Sequence, residues 1–376
     1  MKLNTIKLIN FRNYTKQNLE FSPHLNFIIG ANGSGKTNII EAIYMLGVTK
    51  TYKSIKEDHL VNRAKDHFLI KGEVKISDNV GLSLYYDKAN KLAMIDEQKV
   101  PKLSDYIGNL KVVLFSPEDL NLIKGNPGTR RKFINLEIGQ LDQNYLKLVH
   151  EYNGVLKNRN EYLKMAANKN QVDGLYIETI NEQLAELGSK IYKQRFEFVD
   201  KINQELDNIF KSFHGNGELV MKYETNIGIT DALNSKETLL EKLNNSLQQD
   251  IFKASTSHGP HRDDFSLYLD DENIKNDASQ GQIRLAILGL KCAETLLIKE
   301  VTGEYPIILL DDLFSELDKE KVKNILKFIN KEMQIIITTT DLDEIPKNLL
   351  KNSKIFEIIK SNDKIEVLTR KEEENE

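Results

Sequence analysis

Eight residues near the start of the chain constrain its fold more than any other feature. They match the pattern G-x-x-x-x-G-K-[ST] in full, and they are Gly30, Ala31, Asn32, Gly33, Ser34, Gly35, Lys36 and Thr37. An apolar run, residues 25–29, precedes this loop, and apolar residues at helical spacing, residues 38–46, follow it. The order of strand, glycine loop and helix predicts an α/β fold in which the loop binds phosphate.

Each residue type in this loop has a physical role in binding a triphosphate. The glycines let several backbone N–H groups converge on one anion, and the following helix adds the positive end of its dipole. Lys36 supplies a positive charge for the β- and γ-phosphates, and Thr37 offers a hydroxyl to Mg²⁺, a cation that prefers oxygen ligands. We therefore predict that Lys36 is catalytic and that Thr37 is a metal ligand.

A second apolar run supplies the carboxylates that such a site needs. Residues 307–310 predict a central parallel strand, and Asp311 and Asp312 follow at its C-terminal end, where open α/β sheets bind ligands. We expect Asp311 to meet Mg²⁺ directly or through water, and Asp312 to orient or activate the attacking water. Without the glycine loop, an Asp-Asp pair would indicate only a solvated strand end or a helix cap.

Two polar loops and one strand complete the C-terminal part of this pattern. Residues 278–282 open an amphipathic helix, with Ser279 at the position of an N-cap. Residues 315–318 follow the acidic strand and form a second capping sequence. Residues 334–340 predict a strand that ends in three threonines. By themselves, the two loops predict helix starts and nothing more.

The rest of the chain predicts an antiparallel region and an insertion. Residues 67–100 alternate apolar and polar side chains between turns, as an antiparallel meander does. Residues 126–254 hold two long stretches at helical spacing around a turn at 168–174. We therefore predict a discontinuous head, residues 1–125 and 255–376, with an inserted, mostly helical lobe whose apolar stripe is core rather than a partner groove.

A pair of histidines offers a second candidate for metal binding. His258 and His261 are three residues apart, with Asp263 and Asp264 nearby. Because the Gly-Pro pair between the histidines prevents a helix there, a structural turn leading into a strand at 265–269 is favoured over a metal site.

Charge is distributed unevenly along the chain. The net charge is −4, yet the first 125 residues hold 18 Lys and Arg against 13 Asp and Glu. Residues 255–376 hold 17 against 25. One interpretation is ordinary variation among solvated faces; the other is a basic N-terminal surface, so that binding of a polyanion would depend on a local patch. The candidate patch is Lys50, Lys53, Lys56, Arg63 and Lys65.

Composition predicts a cytoplasmic protein. The single cysteine, Cys292, excludes an intramolecular disulfide and a cysteine-cage metal site, which fits a reducing cytosol. No apolar run approaches the roughly 20 residues that span a bilayer. Residues 1–11 lack the apolar core of a signal peptide.

The order of the motifs resembles that of the ABC-type ATPases of chromosome maintenance, the group that includes the SMC proteins. Seven segments carry the resemblance and together extend over nearly the whole chain: residues 9–14, 30–37, 115–120, 130–133, 259–264, 279–282 and 310–318. The resemblance implies a P-loop ABC-type ATPase head with an antiparallel β subregion and the inserted lobe.

This resemblance also implies a nucleotide site shared between two copies of the chain. Two heads would close around two ATP molecules, with the loop at 279–282 of one head on the γ-phosphate bound by the other. The segment 116–119 would couple the metal site to the lobe beyond it. The residues that the resemblance adds to the nucleotide site are Arg12, Asn13, Ser279, Gly281, Gln282 and Asp318.

The implied function is an ATP-driven switch in recombinational DNA repair and replication maintenance. The ATP-bound homodimer would grip double-stranded DNA at single-strand/double-strand junctions and help to load recombinase at gaps. RecR, and secondarily RecO, are the implied partners. Asp312 stands where general ABC ATPases have glutamate, and threonines at 338–340 stand where a histidine is common, so slow hydrolysis is expected.

Other classes of protein remain as alternatives. Because Asp312 replaces glutamate, the chain could be a scaffold that binds nucleotide only to dimerise. An ABC-type subunit of another complex, such as a transporter, is disfavoured by the long helical insertion. A small-molecule kinase would leave residues 279–282 and 315–318 unexplained.

Overall fold

The computed structural model describes residues 1–63, 65–169, 171–213, 215–313, 328, 331–342, 345, 347–351, 353–361 and 364–370. Contacts divide the chain into two units. We call Met1–Asp119 with Glu294–Glu376 the head unit, and Leu120–Ala293 the insert unit. Within the described residues, no helix combines the length and the apolarity needed to cross a membrane.

An antiparallel sheet is built from the first part of the head unit. Its strands are β1 (Lys2–Phe11), β2 (Tyr14–Glu20), β4 (Phe68–Lys75), β5 (Asn79–Tyr86), β6 (Lys91–Ile95) and β7 (Gln98–Lys99), in the order β2-β1-β4-β5-β6-β7. Alternate residues of β4 are buried, as expected of a strand with one face in the core. Strands β4 to β7 confirm the meander predicted for residues 67–100.

The second sheet of the head unit is parallel except at one edge. Its strands are β3 (Leu25–Ile29), β8 (Val112–Phe115), β12 (Ile307–Asp311), β13 (Gln334–Thr339), β14 (Ser353–Ser361) and β15 (Lys364–Arg370), in the order β15-β14-β3-β13-β12-β8. All residues of β3, β8, β12 and β13 are buried, which explains why these strands are nearly continuous apolar runs. The register pairs Asp311 with Thr338, and Thr339 with Ile29, so the carboxyl ends of β12, β13 and β3 meet at one edge.

Helix α1 (Lys36–Val48) lies between the two sheets of the head unit. It packs against β8, β12 and β13 on one side and against β1, β4 and β5 on the other. Ile39, Ile40 and Ile43 are fully buried, because a helix between two sheets needs apolar side chains on more than one face. The unit also contains short 3₁₀ turns at Glu57–Leu60, Leu103–Asp105 and Pro117–Asp119, and one helical turn at Lys347–Leu350.

The insert unit is mostly helical, as predicted. Its helices are α2 (Leu120–Lys124), α3 (Pro127–Leu141), α4 (Gln143–Lys169), α5 (Gly174–Ser212), α6 (Ser235–Asn245), α7 (Leu247–Lys253), α8 (Ile274–Asp277) and the start of α9 (Gln280–Thr302). The ends of α4 and α5 confirm the turn predicted at 168–174. Asp173 caps α5 by accepting a hydrogen bond from Tyr176 N.

A small sheet extends the insert unit beyond the predicted insertion. It contains β9 (Leu219–Glu224), β10 (Asp264–Leu269) and β11 (Glu272–Asn273), in the order β11-β10-β9. All six residues of β10 pair with β9, from Asp264 with Glu224 to Leu269 with Leu219. The insert unit therefore ends at Ala293 and not at the predicted boundary, residue 254. The reason is that β10 pairs with β9, which makes residues 264–269 part of this unit.

Candidate nucleotide-binding site

The glycine loop joins β3 to α1, as its motif predicts. Gly30, Gly33 and Gly35 have φ values of 153°, 75° and 116°. A Cβ at Gly35 would lie 2.6 Å from Asn13 Nδ2, and one at Gly30 would lie 2.6 Å from Ile358 O. Only glycine fits these two positions, since both combine a left-handed backbone with close neighbours.

The turn between β1 and β2 holds this loop from the side. Asn38 Nδ2 donates to Asn13 Oδ1 at 2.7 Å, and Asn13 Nδ2 donates to Ser34 O at 3.4 Å. Tyr14 OH donates to Gly35 O at 3.1 Å. Burial raises the pKa of Tyr14, so its hydroxyl remains a neutral donor. The structure thus places Asn13 against the glycine loop, next to the residues with which it was predicted to act.

Lys36 is folded back over the loop to which it belongs. Its Nζ donates to Gly30 O at 2.7 Å and to Ala31 O at 3.2 Å. Burial lowers the pKa of Lys36, and the charges of Asp312 and Asp311 oppose that shift. Both aspartates therefore lie close enough to interact electrostatically with the loop lysine.

Thr37 and Asp311 meet across the junction of α1 and β12. Thr37 Oγ1 donates to Asp311 Oδ1 at 3.0 Å, and the aspartate is 4% exposed. A hydroxyl and a carboxylate oxygen at this separation are the hard oxygen donors that Mg²⁺ prefers, so these two residues fit the predicted metal site. No group of three or more His, Cys, Asp and Glu able to hold a metal occurs among the described residues. At nucleotide sites, Mg²⁺ is usually bound by one or two protein ligands together with phosphate oxygens and water.

Two further hydroxyls, which the sequence analysis did not assign, contact the same carboxylate. Tyr52 OH donates to Asp311 Oδ2 at 2.8 Å, and Thr338 Oγ1 donates to Asp311 Oδ1 at 2.8 Å. Burial and the charge of Asp311 raise the pKa of Tyr52 well above its ordinary value, so this phenol stays protonated. Thr338 lies near the end of the strand that was predicted for residues 334–340. Tyr52, in contrast, lies in a loop after α1 that matches no motif.

Asp312 turns the chain sharply away from β12. Its φ is 51°, in the left-handed region that aspartate tolerates better than most residues. Its backbone N–H donates to Thr338 Oγ1 at 2.9 Å. The hydroxyl of Thr338 therefore contacts both Asp311 and Asp312, the two aspartates that were predicted to be catalytic.

Arg12 is held by a carboxylate of α1. Its Nε and Nη2 donate to the two oxygens of Glu41 at 2.8 and 2.9 Å, and Glu41 is fully buried. Thr51 Oγ1 donates to the same carboxylate at 2.5 Å. A paired guanidinium fork of this kind is strong and directional. The predicted contact of Arg12 with phosphate thus remains a prediction, while its observed partner is Glu41.

Ser279 caps α9, as predicted. Gln282 N donates to Ser279 Oγ at 3.3 Å, and Ser279 N donates to Gln282 Oε1 at 2.9 Å, which is a reciprocal capping box. Ser279 is exposed, whereas Gly281 and Gln282 are partly buried. These residues belong to the insert unit. Asp318 and the rest of the predicted loop at 315–318 lie outside the described residues.

The remaining predicted segments have local structural roles. Ser116 N donates to Asp119 Oδ2 at 2.7 Å, which closes the turn that follows β8. Arg262 N donates to Gly259 O at 2.9 Å, so the segment with the two histidines forms the favoured turn before β10. His261 Nδ1 lies 2.8 Å from Tyr152 OH, and its Nε2 lies 3.2 Å from Thr256 O.

Fold and site together define the class: this is an ATPase head of the P-loop ABC type. The model of the RecF/RecN/SMC N terminal domain family matches residues 2–366. The DNA replication and repair protein RecF of Streptococcus thermophilus is 42% identical over 366 residues, which cover 95% of this chain and 99% of the relative. RecF of Ligilactobacillus salivarius is 40% identical over 363 residues, or 95% and 96% of the two chains. The chain therefore belongs to the RecF family.

Solved structures agree with this assignment. A structure of the recombination mediator protein RecF with ATP, from the RecFOR pathway, matches with a TM-score of 0.88 and 33% identity over 97% of this chain and 99% of that one. A second, RecF-ATPrS, gives a TM-score of 0.87. An Smc head bound to the C-winged helix domain of ScpA has a TM-score of 0.55 and 17% identity, which shows a shared fold.

Proposed function

We propose that this chain is an ATP-dependent DNA-binding protein of recombinational repair and replication maintenance. The observation that carries the proposal is the contact of Thr37 Oγ1 with Asp311 Oδ1, which joins the two segments predicted to bind nucleotide and metal, from residues 274 positions apart. RecF relatives solved with ATP or with ATPrS support the choice of nucleotide.

The loop residues would bind ATP by exchanging partners. Backbone N–H groups of residues 30–37 would surround the phosphates, while Lys36 would leave the carbonyls of Gly30 and Ala31 for the β- and γ-phosphates. Thr37 and Asp311 would hold Mg²⁺, which would neutralise charge on the phosphates and polarise them. Asp312 would orient the attacking water for slow hydrolysis.

The proposed switch is a dimer that ATP closes. The exposed, serine-capped start of α9 would contact the γ-phosphate held by a second copy of the chain, because a helix N-terminus attracts anions. Closure would follow ATP binding, and hydrolysis would reverse it. Asp318 would lie at the seam between the two copies.

We further propose that the ATP-bound dimer grips double-stranded DNA at single-strand/double-strand junctions. There it would help to load recombinase onto gaps, with RecR, and secondarily RecO, as partners. The bias toward Lys and Arg in the first 125 residues supports a local basic patch on a chain whose net charge is −4. Affinity that depends on phosphates should fall steeply with salt.

The experiment compares the affinity of the purified chain for duplex DNA with and without ATP, at several salt concentrations. We expect tighter binding with ATP, and equal affinity in the two states would refute the switch. Ser279→Arg should keep ATP binding but lose ATP-dependent dimers on a sizing column, whereas Ser279→Ala, which removes the cap without adding bulk, should retain them. Dimers of Ser279→Arg would refute the shared site.

One observation favours a second candidate function. Asp312 is a methylene shorter than the glutamate of general ABC ATPases, and it sits in a left-handed turn. The chain could then bind ATP solely to dimerise. Turnover of radiolabelled ATP by the wild type and by Asp312→Asn separates the two functions, because absence of phosphate release from both proteins would favour the scaffold.

A further inference from the structure

We infer that Tyr52 is a positioning residue for the nucleotide–metal site, acting with Thr338 as a pair of hydroxyls that fixes the carboxylate of Asp311. This inference rests on the proposed function, since it concerns the aspartate that would bind Mg²⁺. It adds a residue that lies outside the glycine loop, the acidic strand and every motif of the sequence.

The two hydroxyls donate hydrogen bonds to different oxygens of the Asp311 carboxylate. Tyr52 OH donates to Oδ2 at 2.8 Å, while Thr338 Oγ1 donates to Oδ1 at 2.8 Å. A carboxylate that accepts donors on both oxygens cannot rotate about its Cβ–Cγ bond without breaking one of them. Oδ1 is thereby kept toward Thr37, whose Oγ1 lies 3.0 Å away.

The position of Tyr52 is itself fixed by packing. Its ring meets the ring of Tyr44, on α1, edge to face at 5.5 Å between centroids. The ammonium of Lys53 lies 5.6 Å from the centroid of the Tyr52 ring. Because α1 also carries Thr37, the helix sets the place of the tyrosine and of the predicted metal ligand together.

Thr338 is equally constrained, because it is fully buried in β13. Its hydroxyl donates to Asp311 and accepts from Asp312 N at 2.9 Å. Both hydroxyls are therefore held in place, that of Thr338 by a buried strand and that of Tyr52 by the packing of its ring against Tyr44. Partners of this kind orient metal ligands, and their loss typically weakens metal binding about 10- to 100-fold.

The test measures the affinity for ATP by calorimetry across a range of MgCl₂ concentrations and, separately, in EDTA. Tyr52→Phe keeps the ring and removes the hydroxyl. We expect the Mg²⁺ concentration that gives half of the affinity gain to rise roughly tenfold, at the lower end of the typical range. The affinity in EDTA should stay within about twofold of the wild type.

Two further variants separate positioning from general damage. Tyr106→Phe removes another tyrosine hydroxyl, one that is fully buried and has no hydrogen-bond partner among the described residues, so it should leave the Mg²⁺ dependence unchanged. Thr338→Val should shift the Mg²⁺ dependence in the same direction as Tyr52→Phe, and Thr338→Ser should restore it. Thermal melts without nucleotide report whether each variant is folded.

An unchanged Mg²⁺ midpoint in Tyr52→Phe would overturn the inference. So would an equal loss of affinity in EDTA and in Mg²⁺, because the tyrosine would then act on the loop rather than on the carboxylate. Both results would leave the proposed function intact. Failure of the wild type to bind ATP at any Mg²⁺ concentration would instead overturn the proposed function and this inference together.

Discussion

Lys36 of the head unit and Arg159 of the insert unit are two buried cations that are held in opposite ways. In the head unit, Lys36 is 5% exposed and donates to two backbone carbonyls, Gly30 O and Ala31 O. In the insert unit, Arg159 is fully buried and pairs with Asp250, which is also fully buried, at 2.8 Å. Further donors of Arg159 are bound by Asn181 Oδ1, Thr256 Oγ1 and Leu243 O.

The difference separates a charge that a ligand could draw away from its present partners from a charge that is committed to the fold. Neutral carbonyls can yield their lysine to a phosphate, whose negative charge makes its hydrogen bond with the ammonium stronger. A guanidinium that is paired with a buried carboxylate and makes four hydrogen bonds is committed to those partners, and removing either member of the ion pair leaves a costly buried charge. Burial alone therefore does not identify a functional cation, and the partners of each cation must be compared.

The largest expected effect is on the insert unit. Arg159→Met should lower the free energy of unfolding by about 3–5 kcal/mol, because Asp250 would keep a buried, uncompensated charge. Urea unfolding measures the loss. Lys157→Met on the same helix is the matched control, since Lys157 is exposed and its contact with Glu161 at 3.8 Å is a surface ion pair worth less than about 1 kcal/mol. Equal stability of the two variants would contradict this account of the insert unit.

The second-largest expected effect is a loss of ATP affinity in the head unit, with a smaller change in the free energy of unfolding. Lys36→Ala should weaken ATP binding about 10- to 100-fold, the value of one charge-assisted hydrogen bond of roughly 1.5–3 kcal/mol. Its unfolding free energy should change by less than that of Arg159→Met, because removing the ammonium also removes its own desolvation cost and leaves two neutral loop carbonyls rather than a buried charge. Calorimetry with ATP and urea unfolding provide the two measurements. A large loss of stability without a loss of affinity would reverse the contrast between the units.

The smallest expected effect is on the pH dependence of stability, through Asp263 and His261 in the insert unit. Burial raises the pKa of Asp263 to about 6 and lowers the pKa of His261 to about 4. Between pH 4 and 6, folded Asp263 keeps a proton that the unfolded chain has lost, so its contribution to stability falls as the pH rises. Folded His261 lacks a proton that the unfolded chain binds, so its contribution rises over the same window.

Single variants should therefore tilt the pH profile in opposite directions. Relative to the wild type, Asp263→Asn should make stability rise more steeply from pH 4 to 6, and His261→Gln should make it rise less steeply. Each change should amount to about 1–3 kcal/mol across the window. Urea unfolding at pH 4, 5, 6 and 7 measures the slopes. Parallel profiles for both variants would show that these groups do not titrate as their burial requires.

Local patterns predicted the elements that carry the site. The glycine loop, the acidic strand and the capped start of α9 have short-range signals, and the contact of Thr37 with Asp311 follows from the shared edge of parallel strands. The meander at 67–100 and the turn at 168–174 also follow from periodicity. The loop, the strand, the helix start, the meander and the turn depend on neighbours in sequence, and the contact of Thr37 with Asp311 depends in addition on the general topology of parallel sheets.

The features that could not be predicted depend on distant pairings. Tyr52 reaches Asp311 across 259 positions, and nothing in its loop signals a partner. Arg159 occurs in a helix rich in polar residues, where an arginine ordinarily faces solvent, yet its burial depends on Asp250, 91 positions away. The pairing of β10 with β9 likewise moved the end of the insert unit past residue 254.

The single cysteine has a practical consequence for studying the proposed closure. Cys292 is fully buried in α9, so its thiol is shielded from reagents in the folded protein. A cysteine introduced at Leu175, whose side chain is 76% exposed, would thus react alone with a spin label or a fluorophore. Distances between labels on two copies can then be followed during nucleotide turnover without first removing the native thiol.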